Sequence, residues 1–174
     1  MLELFTKLLE TLVSLLRGRS DLNRNDRILL LDRVLEAANA IQARFENDLS
    51  SYRKHMEDKS KPITRIKLLV DTLRADDLIH QPQLQAMWAI IKPLRERHRE
   101  LADAVRQFLD LAGRDEPVIF RATTLSDIET ILESEDDSEK KRQEVIELLD
   151  RVYGDLALRY AFIVRAYYLE RYNL

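Results

Sequence analysis

Three histidines, a tyrosine repeat and two arginine clusters are the side chains of this chain best suited to chemistry. His80 follows Asp77 at the Asp-x-x-His spacing of a metal-ligand pair, but Pro82 stands beside it and no second pair supports it. His98 falls at a helix-seam position, where a buried imidazole could bind a ligand, act as a base or form a pH-sensitive contact. His55 is alone among charged neighbours. A di-metal carboxylate bundle needs Glu-x-x-His on facing helices, and that motif does not occur. With no cysteine, thiolate ligands, a thiol nucleophile and disulfides are excluded. The three glycines are far apart, so no glycine-rich phosphate loop exists, and no Gly-x-Ser-x-Gly elbow is present. No metal, cofactor or catalytic residue is assigned, and the expectation is a protein that is not an enzyme.

Tyr153, Tyr160 and Tyr167 recur every seven residues, with Phe162, Tyr168 and Tyr172 near the end of the repeat. Tyrosine joins a large apolar ring to a polar tip, which suits an interface or a half-buried seam. Tyr153, Tyr160, Tyr167 and Tyr168 are therefore candidate interface residues. Aromatics beside Arg159, Arg165 and Arg171 could also stack on nucleobases. Residues 114–174 carry nine basic and fourteen acidic side chains, which argues against a nucleic-acid partner.

Arg17, Arg19, Arg24 and Arg27 form one basic cluster, and Arg95, Arg97, His98 and Arg99 another. Either could hold phosphate or an acidic segment. Asp21, Asp26, Glu96 and Glu100 are interleaved with them, as on a solvated helix face. The acidic run Glu133, Glu135, Asp136, Asp137 and Glu139 reads as a polar turn between helices or a dock for a basic partner.

The elements that must position these groups are helices. Few breakers (three Gly, four Pro in 174 residues) and abundant Leu, Ala, Glu and Arg point to helix nearly throughout. Residues 2–17 form an amphipathic first helix ended by Gly18. Leu2, Phe5, Leu9, Leu12 and Leu16 lie on one side of it, and nine of residues 2–16 are apolar, more than a surface helix needs. These five are candidate contacts to a protein partner, to a second copy or to a membrane interface.

Ile28, Leu31, Leu35, Ala38, Phe45, Leu49, Tyr52 and Met56 step by threes and fours, interrupted by Gln42. That seam predicts one rod over about residues 26–59, capped by Asn23 or Asn25. Ser60-Lys61-Pro62 starts a helix to residue 79, and His80-Gln81-Pro82 breaks the chain. A long helix over 83–112 follows, with Pro93 predicting a kink or a local break near 89–91. Its seam is Leu84, Met87, Ile91, Leu94, His98, Leu101, Val105 and Phe108. Residues 114–125 read as a loop pinned by Ile119 or Phe120. Ser126-Asp127-Ile128-Glu129 matches a capping box and predicts a short helix to 135. The last helix runs over 139–172, with Gly154 its weak point.

These elements predict an all-α, single-domain chain over residues 1–174: an up-and-down bundle of long antiparallel helices with a four-helix core, plus the extra N-terminal helix. No apolar run reaches the roughly 20 residues that span a bilayer. The expected location is cytoplasmic, with peripheral membrane contact as the exception. The expected function is a non-catalytic interaction or oligomerisation module. A membrane-acting bundle using residues 2–17 and a small-ligand-sensing bundle with a pocket near His98 and the tyrosines are the alternatives.

Overall fold

A computed structural model describes residues 23–63, 68, 70–72, 74–75, 84–89, 91–92, 95–109 and 122–173. Among these residues the chain is mostly helical and contains no strand. Four helices carry the architecture: α1 (Arg24–Glu57), α2 (Arg99–Phe108), α3 (Ala122–Glu133) and α4 (Ser138–Tyr172). Residues 68, 70–72, 74–75, 84–89 and 91 add shorter helical stretches between α1 and α2.

The rod predicted from the seam is present as 34 unbroken residues, about 50 Å at 1.5 Å per residue. Asn23 caps it, its side-chain oxygen accepting from the Asp26 amide at 2.9 Å. Leu31, Ala38, Phe45, Leu49 and Met56 are buried as the spacing requires. Gln42 is buried with them, and its amide donates to Glu46 at 3.1 Å.

α4 mirrors this rod. The Asp137 carboxylate caps it by accepting from the amides of Glu139 and Lys140 at 2.9 Å each. Val145, Leu149, Leu156, Ile163 and Tyr167 form its buried face. The helix passes through Gly154 without a break. A β-carbon added there would meet nothing within 4 Å. Gly154→Ala should therefore raise stability by about 1 kcal/mol by removing backbone freedom from the unfolded chain. In urea titration the midpoint should move up with the slope unchanged. No gain would mean that this turn is frayed in solution.

α1 and α4 are antiparallel along most of their length. Lys59 pairs with Glu139 at 2.6 Å and Arg53 with Asp150 at 3.4 Å at one end, and Arg171 reaches Asp32 at the other. α4 also packs against α2 and α3, so it touches each of the other three. It reaches each of their C-terminal ends with a cation. Lys141 donates to the Leu132 carbonyl in α3 at 2.9 Å. Arg142 donates to the carbonyls of Met56 in α1 (3.0 Å) and of Lys61 beyond it. Arg159 donates to the Phe108 carbonyl that ends α2 at 3.1 Å. The last carbonyls of a helix lack intrahelical partners and carry the negative end of its dipole, so a cation there satisfies both demands.

Three sequence expectations need correction. Over 83–112 the structure has the local break rather than the kink, and its place differs from the one expected. Helical geometry gives way at Lys92, Arg95–Arg97 form a turn with the Arg95 amide bonded to the Lys92 carbonyl at 3.3 Å, and α2 restarts after His98. Near Pro93 the described residues outside α-helix are Lys92 and 95–98, just beyond the 89–91 expected, and proline disfavours helical backbone in the residue before it as well as in the turn behind. The seam residues nevertheless stay buried: Leu84, Met87, Ile91, Leu101, Val105 and Phe108. Second, α3 begins at Ala122, so Ser126 is inside the helix and caps nothing. Its carbonyl accepts from the Thr130 hydroxyl at 2.9 Å. The added turn brings Leu125 into the core beside Ile128. Third, the loop expected over 114–125 ends earlier, because residues 122–125 are helical; its pinning residues Ile119 and Phe120 lie outside the described residues. The first helix over 2–17 also lies outside them.

Candidate interaction surface

The tyrosine repeat lies along one flank of α4. Its members sit on the flank of α4 that faces α1, and each hydroxyl reaches a residue of α1. Tyr153 approaches Glu46 Oε1 at 3.4 Å, Tyr160 donates to Asn39 and Tyr167 to Asp32. Donors rise by seven as acceptors fall by seven, which is the register of an antiparallel helix pair. Burial pushes the hydroxyl pKa values of Tyr160 and Tyr167 upward, and the neighbouring Glu46 and Asp32 carboxylates push the same way. Arg171 lies 5.7 Å over the Tyr167 ring and bonds Asp32, and Tyr168 meets Tyr167 edge-on at 5.2 Å. Three of the four tyrosines thus direct their hydroxyls within the chain, although the Tyr153 side chain is exposed, as is that of Tyr168.

The arginines near this repeat are mostly engaged too. Arg159 is buried on Phe108 and lies 3.1 Å from Asp155, and Arg171 is held by Asp32 and Tyr167. Neither offers an open guanidinium face for a nucleobase. Arg165 is exposed.

His98 is buried at the start of α2, and its Nδ1 lies 2.9 Å from Glu170 of α4. The pair ties the turn after Lys92 to the end of α4. Nε2 of His98 has no hydrogen-bond partner among the described residues. Tyr153, Tyr160 and Tyr167 face α1 while Glu170 faces α2, so His98 and the repeat lie on different flanks of α4. No group of three or more metal-ligating side chains occurs among the described residues. His80 and Asp77 lie outside them. The acidic run acts as a polar turn: Asp137 caps α4, Asp136 pairs with Lys140 at 2.7 Å and Glu139 with Lys59. The hydrogen bond from Lys140 holds the Asp136 carboxyl below its ordinary range. Among the described residues no helix is long and apolar enough to cross a membrane.

A different face of α4 stands out. Leu158, Phe162, Leu169 and Tyr172 are exposed, Leu158 by 55% and Tyr172 by 92%. With Arg165 they step by four, three, four and three residues, the spacing of a helix–helix seam. At 3.6 residues per turn this stripe lies roughly 150° around the helix from the buried face, and Tyr168 borders it. Leu158, Phe162, Leu169, Tyr172 and the bordering Tyr168 expose on the order of 100 Å² each, an apolar patch of roughly 500 Å², within the upper range for monomers and characteristic of interaction sites. Leu29 and Leu68 are exposed singly, which is ordinary. Along one side of the stripe runs an open groove of 380 Å³ lined by Glu100, Asp103 and Gln107 of α2 and by Phe162 and Arg165 of α4.

Sequence reasoning assigned α4 a single seam and passed over the second. The signal was available, since Leu158, Phe162, Leu169 and Tyr172 make the apolar arc of this helix wider than one seam can use. The N-terminal candidates Leu2, Phe5, Leu9, Leu12 and Leu16 lie outside the described residues. No protein-family model matches the chain, and comparison with curated proteins and with solved structures finds no match.

Proposed function

We propose that this chain is a non-catalytic interaction module that docks a helix along the Leu158–Tyr172 stripe of α4. The observation that carries the reading is the stripe itself: a seam-spaced apolar row on a helix whose opposite face is already packed. The helix is held by three cation caps and the tyrosine ladder, so it presents the row on a rigid support. The up-and-down four-helix core expected from the sequence serves as scaffold in this reading, and docking takes a coiled-coil form. Glu100 and Asp103 beside the stripe make an anionic lipid surface a poor partner, and a protein helix a better one.

The test replaces Phe162 and Leu169 together by Glu. Both side chains are exposed, so helicity and thermal midpoint should hold. Chemical cross-linking in producing cells should trap wild type in a species heavier than one chain, and the double variant should lose it. A heavier species that persists in the variant, or none in wild type, would remove the reading.

A further inference from the structure

We propose that the partner on this stripe is a second copy of the same chain, laid antiparallel about a two-fold axis at Arg165; the proposal rests on the stripe being an interaction surface. A two-fold contact uses one patch twice, so the patch must match itself when reversed. From Leu158 to Tyr172 the steps are four, three, four and three; reversed about Arg165 the row falls on itself at both ends and within one residue, about 1.5 Å, at Phe162 and Leu169. An axis at Arg165 sets Leu158 opposite Tyr172 of the second copy, and Phe162 opposite Tyr168 and beside Leu169 of the second copy. Apolar residues then face apolar residues on either side of Arg165.

Charge supports the same arrangement. Arg165 is the one charged member of the row, and on the axis it faces its own equivalent. Two guanidinium groups alone would repel. Glu100 and Asp103 line the same groove as Arg165, so the pair of chains brings four carboxylates around two arginines. The two α4 helices also oppose their dipoles when antiparallel. Roughly 500 Å² from each chain totals about 1,000 Å², which reaches the lower limit for a specific contact and predicts a weak, concentration-dependent dimer.

The chain has no cysteine, so introduced cysteines report geometry without background. Arg165→Cys lies on the axis and should form a covalent dimer under mild oxidation at high concentration. Leu158→Cys should not, because its two copies sit about 21 Å apart along the helix, three times the roughly 7 Å limit of a disulfide. An equal mixture of Leu158→Cys and Tyr172→Cys should cross-link between the two variants. Light scattering of the cysteine-free chain should give a mass that rises toward two chains with concentration and stays at one chain for Phe162→Glu/Leu169→Glu. Self-linking of Leu158→Cys equal to that of Arg165→Cys would overturn the antiparallel axis. A strict one-chain mass with no cross-link would overturn the second copy; the interaction reading would still stand if the Glu pair abolishes a heavier species containing another protein. Cross-linking that appears only after deletion of residues 1–22 would assign the stripe to the chain's own N-terminal segment, and so also overturn the second copy.

Discussion

Arg142→Met should lower the stability of this protein by about 3 kcal/mol, since hydrogen bonds from a charged donor contribute about 1.5–3 kcal/mol each and two carbonyls, one buried and one part-buried, lose theirs. The methionine keeps most of the stem volume, so the loss isolates the cap from the packing. Arg142 is only 7% exposed, and its two nitrogens serve the Met56 carbonyl in the last turn of α1 and the Lys61 carbonyl in the turn that follows. Without the guanidinium the dipole end of a 34-residue helix faces α4 uncompensated. Lysine at this position should recover part of the loss, because an ammonium is a point donor that cannot fork to two carbonyls. Alanine should cost more than methionine by the packing of the stem. Against a total of about 5–15 kcal/mol for a typical domain the change is large, and guanidinium titration will resolve it. A loss for methionine below about 0.5 kcal/mol would mean that water already serves these carbonyls, and the cation caps would not be fasteners.

Arginine 142 also shows where sequence reading stops. The long rods were legible because their evidence is local and repeated: the α1 seam recurs across 34 residues and Asp137 stands at the start of α4 with acids behind it. A guanidinium that reaches 86 residues back along the chain leaves no periodic trace. Arg142 and Arg159 read as ordinary polar positions on a helix face, and only the packing shows that a carbonyl terminus lies in front of each. Ser126 shows the opposite case. Its letters match a capping box, yet burial of Leu125 extends α3 backwards and makes Ser126 an interior residue, so tertiary packing overrides a local signal. Pro93 announced a break but not its place, since the chain turns where His98 can meet Glu170. The exposed stripe is legible as an apolar arc wider than one seam, but a sequence does not show which part of a wide arc the bundle leaves uncovered.

Phe108→Ala should cost about 3–5 kcal/mol, the range for removing a fully buried aromatic ring. Phe108 has no exposed surface and ends a helix of only ten residues. An isolated helix of that length does not persist in water, so α2 exists through its buried face of Leu101, Val105 and Phe108 against α4. Arg159→Met removes a separate support. It leaves the ring and takes away the cation on the Phe108 carbonyl, at an expected cost of about 2 kcal/mol. Once α2 has detached in one variant, the second change has little left to remove, so the double variant should lose less than the sum of the two. Amide exchange separates this local failure from global unfolding: protection over 99–108 should fall well before protection over 24–57. Equal loss in both segments would show that α2 and α1 unfold as one unit, and that the hub role of α4 couples them tightly. The same detachment bears on the stripe, because Glu100 and Asp103 line the groove beside Arg165 only while α2 is docked. Self-association through Arg165 should therefore weaken in Phe108→Ala, at a temperature where α1 and α4 are still helical. Gly154→Ala, which stabilises α4 and leaves α2 alone, should leave that association unchanged.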